Sequence, residues 1–526
     1  MRQWRHALFA PAFALLAVSA YPAASVAAGP TVAVTGGQVQ GAALDQGGAV
    51  FKGIPFAEPP VGALRWREPV PVKLWPGLRD ATRYGAPCAQ SQQYIRVPGV
   101  VAKEDCLYLN VWAPEWPSRG TKAVMVWIPG GGNYFGSGTS PTFDGESLAR
   151  HGVVVVTINY RLGDFGFFAH PVLTRESRHH VSGNQGILDQ IAALKWVRAN
   201  IAKFGGDPGN VTIFGESAGS LDVSVLMTTP LAAGLFRRVI GESGSVVGIG
   251  EPQRLKEAEK TGVAIAARWG LAAGATLTQL RAVSADDIVK ADPAFPQTHP
   301  DLGIVVDGYV FPESPAAVFA AGKEARAALL HGNNSRERIP GTTPPEDLKK
   351  AIDDSDGPLA ARGWALYSAA ATDDSYGTPA DQWADDTSFR CAAVMQLAWH
   401  RAAGNAAYEY EFTRVPAGRE AVGATHASEL AYVFGTLDRG FVAVVGPPPS
   451  GFSDVDRQVS AAMQSYWTSF AKTGDPNGGN LPRWPKFETA SRAYLQLNAA
   501  GPVAKKELRQ PYCDLFAANV KRAMSR

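Results

Sequence analysis

The chain carries almost no net charge: 50 Lys and Arg stand against 48 Asp and Glu, leaving +2. So weak a balance supplies no long-range field to gather nucleic acid or acidic lipid, and ligands that are neutral or of mixed charge fit it better. Cysteine is scarce, four in 526 residues, and none stands in a C-x-x-C pair, so a zinc ribbon is not supported and no metal site is expected. Beyond the N-terminal segment no stretch resembles a transmembrane helix. Tandem repeats and long low-complexity linkers are also missing, which argues against two independent domains. What remains is an ordinary globular composition, 46% hydrophobic and 19% charged, in a chain long enough for one large sheet with insertions.

The N-terminus has the three parts of a secretory signal. Arg2 and Arg5 are the basic region, Leu8 to Ala20 the apolar region, and Val26-Ala27-Ala28 a small-residue cleavage site. Residues 1–28 are therefore expected to be removed, leaving 29–526 as one catalytic domain that is secreted or periplasmic. A retained membrane anchor fits less well, because Pro11 interrupts a run already short for a bilayer. Export to an oxidising compartment favours disulfides. Four cysteines allow three pairings. One of them joins Cys88 to Cys106 in a short loop and leaves Cys391 to tie Cys513 and the C-terminus down.

Thr121 to Pro129 and Gly152 to Asn159 are apolar, β-rich runs, and Val211 to Phe214 is a third. Between the second and third, Ile187, Ile191, Leu194, Val197 and Ile201 recur at three or four residues, which predicts an amphipathic helix over Gly186–Phe204. Buried strands alternating with helices imply parallel pairing through crossovers, hence a large, mostly parallel twisted sheet with helices on both faces. A further strand is recognisable at Ala327 to Leu330, followed by a turn at Gly332-Asn333-Asn334, and Thr342 to Asp386 reads as helices decorating the sheet.

Gly215-Glu216-Ser217-Ala218-Gly219 matches G-x-S-x-G between a strand and a helix-compatible stretch. That setting predicts a nucleophilic serine on a tight turn. A hydroxyl attacks only when a base takes its proton and an acid holds that base in one tautomer, and in this topology the chain order is serine, acid, histidine. His331, His400 and His426 lie far enough downstream. His426, in a loop that feeds an apolar helix-like run, is the expected base. Glu337, beyond the strand near Leu330, is the first choice of acid, with Asp307 as the alternative. Gly130-Gly131-Gly132 follows a strand, so the N–H groups of Gly131 and Gly132 with that of Ala218 can form an oxyanion hole. No Lys-Ser/Thr follows the glycines, which disfavours a nucleotide phosphate loop.

Longer stretches carry a resemblance. FKGIPFAEPPVGALRWREP near the N-terminus, EDCLYLNVWAP at Glu104–Pro114, NYRLGDFGF at Asn159–Phe167 and the run from Gly183 to Gly219 resemble the type-B carboxylesterase family across nearly the whole mature chain. The resemblance implies an α/β-hydrolase fold and a Ser217–His426–Glu337 triad, which decides between Glu337 and Asp307. It also implies the pairings Cys88–Cys106 and Cys391–Cys513, and supporting polar groups at Glu216, Ser243 and Glu429. Neither metal nor organic cofactor is implied.

Four residues depart from the family pattern. Pro129 and Asn133 flank the glycines where other residues are usual, and Arg338 and Ala427 follow the acid and the base where glycine is usual. Asn133, Tyr134 and Phe135 are expected to line the substrate pocket. The resulting expectation is a serine esterase acting on a small-molecule ester, with no nucleic-acid partner, no stable membrane anchor and a monomer favoured. An amidase or lactonase would use the same parts, and a non-catalytic binding protein on this scaffold is the alternative from another class. Retention of the full triad disfavours the last.

Overall fold

The computed structural model describes residues 1, 29–95, 97, 99–247, 252–291, 303–338, 344–439 and 448–525. The expected signal peptide thus lies almost entirely outside the described residues. Fourteen strands follow in chain order: β1 (Thr31–Val34), β2 (Gly37–Gln40), β3 (Ala42–Ala43), β4 (Ala49–Pro55), β5 (Leu78–Asp80), β6 (Tyr108–Ala113), β7 (Lys122–Ile128), β8 (Val154–Ile158), β9 (Gly206–Glu216), β10 (Arg238–Glu242), β11 (Ala328–Asn334), β12 (Ala407–Phe412), β13 (Tyr494–Asn498) and β14 (Gly501–Lys505). β1, β2 and β5 form a small sheet, and the rest form one 11-stranded sheet in the order β14-β13-β12-β11-β10-β9-β7-β8-β6-β4-β3. Its centre, β8 through β13, is parallel, while β6, β4 and β3 on one side and β14 on the other pair antiparallel.

The central strands are apolar on both faces because each face packs on helices. On β7, Val124, Val126 and Ile128 join a core with Ile187, Ile191, Leu194 and Val197 of the helix Gln185–Asn200. The alternate residues Met125 and Trp127 join a second core with Met463, Trp467 and Phe470 of the helix Asp454–Thr473. Period-two alternation therefore distributes one strand between two cores. Each fully buried side chain of this kind contributes roughly 1.5–3 kcal/mol.

The expected strands and the long helix are present, the helix passing into a 3-10 turn over Ile201–Phe204. One detail differs. Gly332-Asn333-Asn334 is not a turn: β11 continues through Asn334, because β12 supplies partners from Gly332 to Asn334 that a local reading of Gly and Asn cannot foresee. The region after Thr342 holds the helices Leu348–Asp356, Ala360–Ser368 and Pro379–Asp385. Cys88 is bonded to Cys106, and Cys391 to Cys513. Among the described residues no helix is long and apolar enough to cross a membrane.

Four adjacent parallel strands, β7, β9, β10 and β11, end at the same edge of the sheet. The residues just past those ends are Gly130–Gly132, Ser217, Ser243 and Glu337 respectively. The carboxyl edge of an open parallel sheet is where such folds place their ligands.

Candidate active site

Ser217 stands between β9 and the helix Ala218–Leu226 with φ +58° and ψ −124°, a conformation that costs a non-glycine residue about 1–3 kcal/mol. The turn is this tight because both flanking glycines touch backbone. A Cβ on Gly215 would lie 2.5 Å from the Gly219 carbonyl oxygen, and one on Gly219 only 2.1 Å from that of Ile128. The Ser217 N–H donates to the Glu242 carbonyl at 2.8 Å, which ties the bend to β10.

His426 reaches this edge from the loop before the helix Leu430–Phe434, and its side chain is 16% exposed. Its Nδ1 lies 2.7 Å from Glu337 Oε2. Glu337 is fully enclosed: its Oε1 accepts from the Ser243 hydroxyl at 2.6 Å and from the Asn334 N–H at 2.7 Å, while its own N–H donates to Asp385 Oδ2 at 3.0 Å. On the other side His426 Nε2 lies 3.2 Å from Glu216 Oε1. The Ser217 hydroxyl makes no hydrogen bond among the described residues. Contacts to a reacting hydroxyl are often long or absent before substrate binds. Phe389 packs on the imidazole with ring centres 5.1 Å apart.

The other histidines and the alternative acid have different work. His331 is buried on β11 with Nε2 2.9 Å from the Gly244 carbonyl, and burial pulls its pKa down to about 4. His400 is buried against Glu324 and the Ala327 carbonyl. Asp307 Oδ1 accepts three backbone N–H groups, from Tyr309, Val310 and Phe311, which makes it the organiser of a turn.

The N–H groups of Gly131, Gly132 and Ala218 donate to nothing among the described residues, so all three are free donors. Phe135 stacks on Tyr94 at 4.4 Å, whereas both ends of the Asn133 amide are held by buried partners, Tyr160 and Asp222. Asn133 therefore turns away from solvent where a pocket-lining side chain was expected.

Sequence reasoning did not single out three groups around Ser217, Glu337 and His426. Glu242, at the end of β10, accepts from the Trp467 indole at 2.7 Å, and burial pushes its pKa up to about 8. Asp385 accepts the Glu337 and Arg338 N–H groups, and burial pushes it up to about 7. Asn334 donates to Glu429 and to the Thr425 carbonyl, bracing the histidine loop. Glu242 carries a signal in retrospect, since it ends a strand beside Glu216 as a charged residue in an apolar run. Among the expected supporting residues, Glu216 is pushed up to about 7 by burial, and Glu429 is raised further by burial and its carboxylate neighbours. Burial opposes a charged imidazole, but the charges of Glu216 and Glu337 outweigh it and push His426 up to about 10.

A cavity of about 750 Å³ lies elsewhere, lined by residues such as Trp66, Leu188 and Tyr309 and by no member of this cluster. Among the described residues no group of three or more His, Cys, Asp or Glu could hold a metal ion.

A serine at a strained strand-to-helix bend, with a histidine and a carboxylate delivered from later strands of one mostly parallel sheet, defines the α/β-hydrolase fold. The solved structure of a thermophilic PNB esterase matches it with a TM-score of 0.79 at 34% identity, covering 92% of this chain and 99% of that one. A Geobacillus stearothermophilus carboxylesterase matches with a TM-score of 0.79 at 33% identity over the same shares. The model of the carboxylesterase family matches residues 28–516, and the chain belongs to that family. It is 38% identical to the fumonisin B1 esterase of Sphingopyxis macrogoltabida over 455 residues, 83% of this chain and 81% of that protein. It is 36% identical to the para-nitrobenzyl esterase of Bacillus subtilis strain 168 over 490 residues, 88% and 94% of the two chains. The protein is a carboxylic ester hydrolase.

Proposed function

We propose that this hydrolase is a secreted serine esterase working through an acyl-enzyme. Ser217 Oγ attacks the ester carbonyl as His426 Nε2 takes its proton. Glu337 holds the imidazole by Nδ1 and stabilises the cation that forms. The oxyanion meets the N–H groups of Gly131, Gly132 and Ala218, aimed where charge develops. His426 then returns the proton to the departing alcohol, and a water activated by the same imidazole releases the acid. The observation that carries this reading is the 2.7 Å contact between His426 and Glu337 at the sheet edge that also bears Ser217.

Glu216 has a part in the proton traffic. A general base must be neutral when it acts, and two charged carboxylates beside one imidazole oppose that. Burial favours the protonated form of Glu216, so the proton that charges His426 can pass to it. His426 then faces one charged neighbour, Glu337, and its Nε2 is released toward Ser217. Ser243, Asn334 and Asp385 fix Glu337, while Glu429 braces the loop through Asn334. Tyr134, Phe135 and Phe389 wall the substrate space. Secretion rests on the N-terminal signal pattern and accords with the two disulfides.

The test is a substrate panel of short, long, aromatic and polyacid esters with matched amides and lactones, run on wild type and Ser217→Ala. Para-nitrobenzyl esters and fumonisin B1 belong in it because two relatives are named for them. Loss of all ester turnover in the variant is expected. Persistent turnover, or amides hydrolysed faster than esters, overturns the reading.

A further inference from the structure

The loop after β7 is backbone in an unusual state. Gly131, Gly132 and Asn133 are three successive residues with φ of +115°, +63° and +62°. Asn is among the few side-chain-bearing residues that accept the left-handed region readily, which accounts for it at the third position. A segment of this kind keeps one shape only where its surroundings over-determine it. Here they do so through one buried chain of hydrogen bonds. The single Tyr160 hydroxyl proton is shared between the Pro129 carbonyl at 2.8 Å, at the loop's start, and Asn133 Oδ1 at 2.7 Å, at its end. The Asn133 carbonyl accepts from the Gly163 N–H at 2.7 Å. Asn133 Nδ2 donates to Asp222 Oδ1 at 3.2 Å, and the other oxygen of Asp222 accepts from Gln190.

Asp222 belongs to the helix Ala218–Leu226, one turn after Ala218. The chain of bonds thus runs from the loop that carries two unpaired N–H donors to the helix that carries the third. Its members lie deep: Asn133 is 6% exposed, Tyr160 1%, and Asp222 and Gln190 0%. No Lys, Arg or His among the described residues pairs with Asp222, and burial pushes its pKa up to about 7. An apolar residue in its place would pack without that cost. Packing alone therefore does not account for a carboxyl at this point, whereas the geometry it holds does.

We propose that Asn133, Tyr160 and Asp222 form a latch that fixes the glycine loop against the serine-bearing helix, with Asp222 as a positioning residue for the oxyanion hole. The inference rests on the reading of Gly131, Gly132 and Ala218 as oxyanion donors. Without the latch the loop's two donors drift from Ala218. Losing one donor costs about 10²–10³ in rate, and a displacement of 1 Å can cost about 10². The loss falls on the transition state, because the substrate's neutral carbonyl gains little from these donors.

The experiment compares full-length mature wild type with Asn133→Ala, Asp222→Ala, their double variant, Asp222→Asn and Tyr160→Phe. It reads kcat and KM on a p-nitrophenyl ester and the inhibition constant of a trifluoromethyl ketone, which binds as a tetrahedral oxyanion. Each alanine variant is expected to lose about 10- to 100-fold in kcat with KM within about twofold. Ketone affinity should fall by the factor lost from kcat/KM. The double variant should be no more than about threefold worse than the weaker single one, because both break the same chain. Asp222→Asn should restore most of kcat: its amide oxygen still accepts from Asn133, and Gln190, whose Oε1 has no partner, can turn over to accept from the new amide.

Unchanged kcat in any folded alanine variant, multiplicative losses in the double variant, or Asp222→Asn as impaired as Asp222→Ala overturns the latch. Where the alanine variants do not fold, Tyr160→Phe decides, with about a tenfold loss in kcat expected and no loss contradicting the proposal. Labelling with a fluorophosphonate separates the two levels. A wild type not labelled at Ser217 removes the functional reading and the latch with it, whereas a labelled wild type with unaffected variants removes the latch alone.

Discussion

Replacing Glu216 by glutamine tests how the carboxylates around His426 set its proton affinity. Its Oε1 is 3.2 Å from His426 Nε2, and two unit charges at that distance interact by about 5 kcal/mol at an effective dielectric near 20. At 1.36 kcal/mol per pH unit this amounts to almost 4 pH units as an upper bound. Two effects reduce it. Glu216 is itself pushed up to about 7 by burial, so it bears a full charge only above neutrality, and the amide of glutamine keeps part of the dipole. The expected displacement is about 1–2 pH units. Its sign follows from the base having to be neutral: a carboxylate beside the imidazole favours the cation, so removing the carboxylate lets His426 lose its proton at lower pH. The assay is the pH profile of kcat/KM on a neutral ester, which reports the groups of the free enzyme. The acid limb of Glu216→Gln should move down by that amount, with the plateau retained within about tenfold. An acid limb that stays in place, or moves up, refutes the electrostatic reasoning.

Ser243→Ala removes one of the two hydrogen bonds to Glu337 Oε1 and leaves the Asn334 N–H in place. A charge-assisted bond of this type contributes about 1.5–3 kcal/mol, so kcat/KM is expected to fall about 10- to 100-fold with KM little changed. A fall below twofold in steady-state kinetics contradicts this. Stability should also depend on pH in a defined direction. Glu216, Asp222 and Asp385 are pushed up to about 7 and Glu242 to about 8, so the folded chain holds protons that the unfolded chain releases above about 4. Each such carboxyl removes up to about 1.4 kcal/mol of stability per pH unit between its unfolded and folded values. His331, pulled down to about 4, opposes them below about 6.5, as do His151 and His170, but the raised carboxyls, which include Asp189, Asp356, Glu409 and Glu429 as well, outnumber these histidines. The thermal midpoint is expected to fall from pH 5.5 to pH 7.5 at constant ionic strength, and a rise contradicts the burial of these acids. At the acid end Asp456 counts the other way. Burial opposes its charge, but Arg414, Tyr432 and Ser453 hold its pKa well below the usual range, so its contribution is complete above about 3.9 and lost as pH falls further. Asp456→Asn should flatten that acid limb in calorimetry.

The strands and the long helix were legible because their signals are local. Val154–Ile158 is continuous and apolar, and Ile187, Ile191 and Leu194 keep helical spacing. The bend at Ser217 was legible for the same reason: it needs glycines at fixed offsets, and they stand in five consecutive residues. The contact between Glu337 and His426 was harder to read, since it spans 89 residues of chain, and the resemblance pointed to that pair. Gly332–Asn334 was misread as a turn because pairing with β12, about 80 residues on, overrides the turn preference of Gly and Asn. Glu242, Asp385 and Asp222 were invisible as a group, because nothing local marks a carboxyl whose partners come from other strands and helices. Asn133 was read as a pocket residue from its place beside the glycines, yet its left-handed backbone and the Tyr160–Asp222 pair turn the side chain inward.

The central claim is that Ser217 becomes acylated during turnover. Mixing the enzyme with an excess of p-nitrophenyl acetate, quenching in acid within milliseconds and mapping peptides by mass spectrometry tests it directly. One acetyl group on the peptide containing Ser217 is expected, absent from Ser217→Ala and much reduced in His426→Ala. Turnover with no acylated Ser217 at any quench time, or an acetyl group on another residue in active enzyme, contradicts the account.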